Sequence, residues 1–375
     1  MFSTIMAKMV ATLMCLIIAL GTLFGAYKRP TTKDASVYYD DNIKNVIYLI
    51  GDGMGFNHLE KTKLERETTL IMDTFGIKGS SMTRSFNYKV TDSAAGGTAL
   101  STGVRTSNGA VGVYALDKNA KYSHPKNITE LCMEKGMLTG VVTTDETTGA
   151  TPSAFSAHSS DRYNEDDLTY DQFKSEINLI WGHSNGFATE TMAEEYGYEY
   201  ISTYDEMMAL QEGSYSYAQF TSQMWPIENT APQTPTLQQM TMKAIDILDD
   251  TDEGFFLMVE GAHIDKHSHN NLSAEMTEAL EAFDNTIEAV LEYAKADGET
   301  LVVVTADHET GAITPDGDGY VFTSGDHSNA DVPVLVYGSD KLIAQGEKLN
   351  NYEIPTRIAY LLGFDEDDFP VAVIG

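Results

Sequence analysis

The chain alternates between short uninterrupted apolar runs and longer segments whose apolar residues recur at helical spacing. Asn45 to Ile50, "NVIYLI", is apolar after its first position and stops at Gly-Asp-Gly. Such a run reads as a strand buried on both faces, because a half-exposed strand would alternate. Leu138 to Thr144, Phe255 to Val259, Leu301 to Thr305 and Val332 to Tyr337 read the same way. The first of these four follows a helix that turns Ile128, Leu131 and Cys132 to one side. Between the second and the third, an amphipathic helix begins near Ser273, with Met276, Leu280, Phe283, Ile287, Val290, Leu291 and Ala294 on one face. Strands alternating with helices predict an α/β fold with a doubly wound, mostly parallel central sheet flanked by helices.

Three segments depart from this rhythm. Residues 161–233 are rich in Tyr, Glu, Met and Ser without a strong strand run, and read as a small inserted cap or lid over one edge of the sheet. Residues 27–44 read as a polar tether. Before them, the apolar run Met9 to Ala26 lies between Lys8 and the Lys28-Arg29 pair, so 1–26 reads as a secretory signal peptide or an uncleaved N-terminal membrane anchor. Either assignment places 45–375, which reads as one domain, outside the cytoplasm: periplasmic, secreted or anchored facing outward.

Charge narrows the partners. Lys and Arg number 24 against 56 Asp and Glu, a formal net charge of −32. That field repels polyphosphate backbones, which argues against a nucleic-acid partner, and an anionic substrate would need a local positive device. The only cysteines are Cys15 and Cys132, so loss of the first 26 residues leaves Cys132 alone. With no internal disulfide, stability must come from packing and bound ions.

The chemistry gathers where the apolar runs end. In an open α/β sheet, ligands sit outside the carboxyl ends of the strands. Asp52 follows the first run, Glu260 the third and Asp307-His308 the fourth. One such residue alone would be a helix cap or turn former, but three on one sheet edge suggest a shared purpose. The segment "EGAHIDKHSH" adds Asp265 and His269 one helical turn apart, and "SGDHS" adds Asp326 and His327. Carboxylate plus imidazole suits zinc, and oxygen-only positions suit magnesium. Asp52, Glu260, Asp265 and Asp307 could not all stay ionised in a confined space without cations, and divalent ions in excess of their charge would attract a dianion. His58, His124, His158 and His183 read instead as surface or hydrogen-bonded core residues.

Two further segments supply a nucleophile and a clamp. In "VTDSAAGGTALSTG", Ser93 would open a closely packed helix, where amide groups and the dipole favour an anion. A serine there could be activated by a metal, while Thr91, Asp92 or Ser93 could equally be a simple cap. In "GATPSAFSAHSSDR", the Thr151 hydroxyl could serve a hard cation, and the planar fork of Arg162 could hold two phosphate oxygens.

Taken together, the motifs resemble the alkaline phosphatase family, especially its compact bacterial members, over nearly all of the chain from Asn45 onward. The resemblance implies a broad-range phosphate monoesterase that binds two zinc ions and one magnesium ion. "IGDGMG" makes Asp52 similar to the ligand bridging the second zinc and the magnesium, and "TDSAAGGTA" makes Ser93 similar to the serine that is transiently phosphorylated and held by a metal. "ATPSAF" assigns Thr151 to magnesium, and Arg162 resembles the phosphate-binding arginine. "VEGAHIDKHSH" assigns Glu260 to magnesium, and Asp265 and His269 to the first zinc. "TADHETG" assigns Asp307 and His308 to the second zinc, and "SGDHS" assigns His327 to the first. Lys266 resembles a lysine that contacts phosphate through water. The family often has Asp or His just before Ala-Thr-Pro; this chain has Gly149 there, so a group supporting magnesium or its waters is missing from that position. The partners implied are small phosphate monoesters and a second copy of the chain in a homodimer. The rival readings are a phosphodiesterase or sulfatase-like hydrolase on the same scaffold, and a non-catalytic metal- or phosphate-binding protein, which would not need the Ser93 motif.

Overall fold

The computed structural model describes residues 34–115, 124–220, 234–249 and 251–369; the N-terminal apolar run, and with it the signal or anchor expectation, lies outside them. In chain order the strands are β1 (Asn45–Gly51), β2 (Ile77–Met82), β3 (Leu138–Glu146), β4 (Leu179–His183) and β5 (Glu199–Ile201). They continue with β6 (Ser216–Phe220), β7 (Phe255–Gly261), β8 (Thr300–Thr305), β9 (Glu309–Thr310) and β10 (Thr314–Asp316). The last four are β11 (Gly319–Val321), β12 (His327–Ser328), β13 (Val332–Tyr337) and β14 (Lys348–Asn350).

Ten of them form one sheet in the order β14-β2-β13-β8-β1-β7-β3-β4-β6-β5. All its pairings are parallel except those of β13, which runs antiparallel to both β8 and β2. All five apolar runs are strands of this sheet. β1 shows why its run lacks alternation. Ile47 and Leu49 join a core on one face with Phe283 and Ile287 of the helix Ser273–Asp297. Val46, Tyr48 and Ile50 join a core on the other face with Leu131 and Ile358, from the helices Ile128–Glu134 and Glu353–Leu361. Both faces are dry, so both sets of side chains are apolar.

The described part of 161–233, through residue 220, does not form the expected cap over the sheet edge. It extends the sheet itself through β4, β6 and β5. These strands carry few branched aliphatic residues, which hid them in the sequence. Their polar groups are satisfied inside the core: Trp181 Nε1 donates to Ser216 Oγ at 2.9 Å, Tyr217 OH to Gln172 Oε1 at 2.7 Å and Gln219 Nε2 to Thr147 Oγ1 at 2.7 Å.

The expected tether is also docked from residue 34 onward. Tyr38 and Asp40 are buried, the Asp40 amide donates to Leu361 O at 3.1 Å, and Ser339 Oγ donates to Asp40 Oδ2 at 2.7 Å. The strands β2 and β14, in segments broken by Gly, Ser and Asn, were not legible as strands either.

Candidate active site

Sheet register brings the strand-end residues to one level. Ile50 pairs with Glu260 on one side and with Thr305 on the other, so Asp52, Glu260 and Asp307 emerge side by side. Asp52 lies more than 200 residues from both Glu260 and Asp307 in sequence, and only the placement of β1 between β7 and β8 closes those distances.

The deepest cluster centres on His308. Its Nε2 lies 3.2 Å from Ser93 Oγ, 3.2 Å from Asp307 Oδ2 and 3.5 Å from Asp52 Oδ1. All four side chains are buried, and neither Asp52 Oδ1 nor Asp307 Oδ2 has a hydrogen-bond partner among the described residues. The Thr310 hydroxyl donates to Asp265 Oδ1 and lies 3.2 Å from His308 Nδ1. A hydroxyl with one proton must accept from Nδ1–H, which leaves the Nε2 lone pair aimed into the cluster.

A second cluster opens to solvent. On the short helix His263–His269, His269 Nε2 lies 3.3 Å from Asp265 Oδ2, as the one-turn spacing predicted. His327 Nε2 lies 3.6 Å from Asp265 Oδ1 and 3.0 Å from His269 Nε2. The pairing of β12 with β9, His327 opposite Thr310, puts the His327 ring there, stacked 3.6 Å from that of His308.

The third corner is oxygen-rich. Glu260 is buried and accepts from Thr143 Oγ1, and the buried Thr151 Oγ1 has no hydrogen-bond partner among the described residues. Lys266 Nζ is paired with the Asp145 carboxylate at this corner. The sequence reading missed Asp145 and the supporting threonines Thr143 and Thr310. Asp145 stands near the carboxyl end of β3, and the strand-end rule applied to that run would have found it.

Electrostatics reflect this crowding. Burial, reinforced by Asp307 and Asp265, pushes the Asp52 carboxyl well above its ordinary range. Burial and Asp145 raise Glu260 to about 8, and burial and Asp265 raise Asp307 to about 7. Asp265 goes the other way: burial opposes its charge, but the bond from His269 outweighs that and holds it low. The same bond lifts His269 to about 9. Without cations, Asp52, Glu260 and Asp307 are driven toward holding protons, which divalent cations would displace.

Ser93 begins the helix Ser93–Thr102, and the cap is Asp92, whose Oδ1 accepts from the Ala95 amide at 2.9 Å. Ser93 is therefore not needed as a cap, and its Oγ faces His308. The small-residue run lets this helix wedge into the site. A Cβ on Gly96 would lie 2.9 Å from Asp307 O, and one on Gly97 would lie 3.3 Å from Thr151 Cα. Arg162 Nη1 sits 3.7 Å from Asp92 Oδ2, one residue from Ser93, with its guanidinium partly exposed. A cleft of about 560 Å³, lined by Tyr88, Lys89, Asp92, His269 and His327 among others, opens the site to solvent.

His58 and His158 are tied into hydrogen bonds away from these clusters. His58 is buried, with Nδ1 accepting from the Gly55 amide at 3.1 Å and Nε2 at 3.1 Å from Ser268 Oγ. His158 lies between Gly112 O, 2.6 Å from Nδ1, and Glu130 Oε1, 3.2 Å from Nε2.

Comparison with known proteins agrees with this geometry. The alkaline phosphatase family model matches residues 43–180 and 184–323. Alkaline phosphatase 4 of Bacillus subtilis is 32% identical over 348 residues, covering 85% of this chain and 73% of that protein. The alkaline phosphatase of the Antarctic bacterium TAB5 superimposes with a TM-score of 0.76 at 30% identity, covering 86% of this chain and 98% of that one. A variant of that enzyme, solved with Mg bound in the M3 site, superimposes with a TM-score of 0.75 at 30% identity over 86% and 99% of the two chains. With the family model matching most of its length and a relative 32% identical over 85% of it, the chain belongs to the alkaline phosphatase family.

Proposed function

We propose that this phosphatase hydrolyses phosphate monoesters of broad range through a phosphoserine at Ser93, in a site for two zinc ions and one magnesium ion. The observation that carries the proposal is the contact of Ser93 Oγ with His308 among carboxylate and hydroxyl oxygens that have no hydrogen-bond partner among the described residues. Those orphaned oxygens and inward lone pairs fit cations. Asp52, Asp307, His308 and Ser93 suit one zinc, and Asp265, His269 and His327 the other. Glu260, Thr151 and Asp52 suit magnesium, which takes oxygen ligands. When bound, these ions supply Lewis acidity that lowers hydroxyl and water pKa values and neutralises phosphoryl charge.

The protein's own groups do the rest. Ser93 Oγ attacks phosphorus as the bond to the leaving alcohol breaks, and water then cleaves the phosphoserine, releasing inorganic phosphate and restoring the hydroxyl. Arg162 holds two phosphoryl oxygens while Asp92 keeps its guanidinium beside Ser93. Lys266 supplies a further positive charge. Its ammonium is opposed by burial, but Asp145, with Glu260 and Asp52 behind it, holds its pKa above the ordinary lysine value. The open cleft makes few demands on the leaving group, which supports a broad range. The apolar N-terminal run supports an extracytoplasmic location.

The test is hydrolysis of a chromogenic phosphate monoester and of a diester at alkaline pH. Turnover of the monoester that chelation removes, zinc and magnesium restore, and Ser93→Ala abolishes is the expected result. No turnover by folded, metal-loaded protein, or preference for the diester, would overturn it.

A further inference from the structure

Gly149 immediately precedes the helix Ala150–Ala154, which carries Thr151, and its backbone sits at φ −50°, a conformation open to any residue. The glycine is therefore not required for its backbone freedom. What it provides is room: a Cβ at position 149 would lie 2.6 Å from Asp145 Oδ2 and 2.9 Å from Asp145 Cγ. The Asp145 carboxylate occupies the space that a side chain at 149 would need.

Its other contacts tie it to the magnesium corner. Asp145 pairs with Lys266 through Oδ1, and its amide donates to Thr143 Oγ1 at 2.8 Å. That same Thr143 hydroxyl donates to Glu260. Asp145 and Glu260 are thus anchored on one threonine, at the end of β3 and beside β7. Asp145 is also only partly exposed, with 18% of its side chain accessible.

We propose that Asp145 is the acidic group that completes the magnesium site of this chain, taking from the end of β3 the place that position 149 leaves vacant. Its carboxylate supports the hard cation or its waters beside Glu260 and Thr151, while Oδ1 holds Lys266. Magnesium keeps several of its waters, so a carboxylate just outside the direct ligands has oxygens to receive their hydrogens. The proposal rests on the three-metal reading above.

The experiment is equilibrium dialysis of the zinc-loaded chain against magnesium, with both metals counted by mass spectrometry. Unaltered protein is expected to hold two zinc ions and one magnesium ion. Asp145→Asn, which keeps the shape and removes the charge, should keep both zinc ions and weaken magnesium binding about 10–100-fold, the usual effect of losing an outer-shell partner. Asp145→Ala should do the same, and adding Gly149→Asp to it should restore magnesium. Magnesium binding unchanged in both single variants, or zinc lost together with magnesium, would overturn the role of Asp145. An unaltered chain that takes up zinc but no magnesium would instead bring down the three-metal reading itself.

Discussion

The Nε2 atoms of His269 and His327 face each other at 3.0 Å, while their Nδ1 atoms lie 2.7 Å from Gly325 O and 2.9 Å from Thr91 O. A carbonyl can only accept, so each Nδ1 carries a proton, and the further proton that Asp265 helps His269 keep on Nε2 separates the two facing nitrogens in the bare site. A cation held by Asp265 and the two rings would displace that proton and take its place. Removing zinc should therefore destabilise the fold as well as stop turnover. Free zinc at a thousand times its Kd stabilises by about 4 kcal/mol. Chelation is expected to lower the melting temperature, and His327→Ala to bind one zinc fewer. Calorimetry with metal counting would show both, and an unchanged melting temperature after complete chelation would contradict the argument.

Arg162 is held by Asp92 beside Ser93, the proposed nucleophile, and its proposed value lies in two parallel donors. Arg162→Lys keeps the charge and loses the fork. A charged hydrogen bond is worth about 1.5–3 kcal/mol, so kcat/KM for a monoester should fall about 10–100-fold. Inhibition by free phosphate should weaken in parallel, which a competition assay would reveal.

The close approach of the Ser93–Thr102 helix to Asp307 is testable at Gly96. Gly96→Ala places a methyl 2.9 Å from backbone oxygen Asp307 O, where neither side can yield easily. Overpacking of this kind costs about 1–3 kcal/mol, and displacement of Ser93 from His308 should lower activity as well. Gly76→Ala, where an added methyl meets nothing within 4 Å, is the control and should change stability by less than about 0.5 kcal/mol. Urea unfolding of the two variants distinguishes them.

Stability should depend on pH through a pair away from the active site. Burial opposes the charge of His158, but its bond to Glu130 raises its pKa above 6.5. Burial likewise opposes the charge of Glu130, and His158 depresses its pKa below 4.5. The His158 contribution is present below 6.5 and lost as pH rises through the raised value; that of Glu130 is present above 4.5 and lost as pH falls through the depressed one. Glu130→Gln keeps the helix-capping oxygen and removes the charge. Its cost should be larger at pH 6 than at pH 9, by about 1–2 kcal/mol. Urea melts at the two pH values give the difference, and equal costs would refute the pairing.

Much of the site was legible residue by residue. Asp265 and His269 meet across one helical turn, which is local geometry, and Asp52, Glu260 and Asp307 ended apolar runs that could only be strands. The order of the motifs pointed to the family. Hidden were the strands whose burial is polar: Trp181, Ser216, Tyr217 and Gln219 fall in the segment that reads as an inserted cap until their buried partners are known.

By itself, the sequence determined which segments are buried on both faces, which helices are amphipathic, and which residue types stand at strand ends, because these follow from periodicity and local backbone preference. Tertiary structure alone decided that β1 lies between β7 and β8, that Thr310 and the backbone carbonyls set the histidine tautomers, and that Asp145 fills the space beside Gly149. The reason is physical: those relationships join residues through parallel pairing, excluded volume and hydrogen bonds across long stretches of chain, and no local preference records which partner arrives.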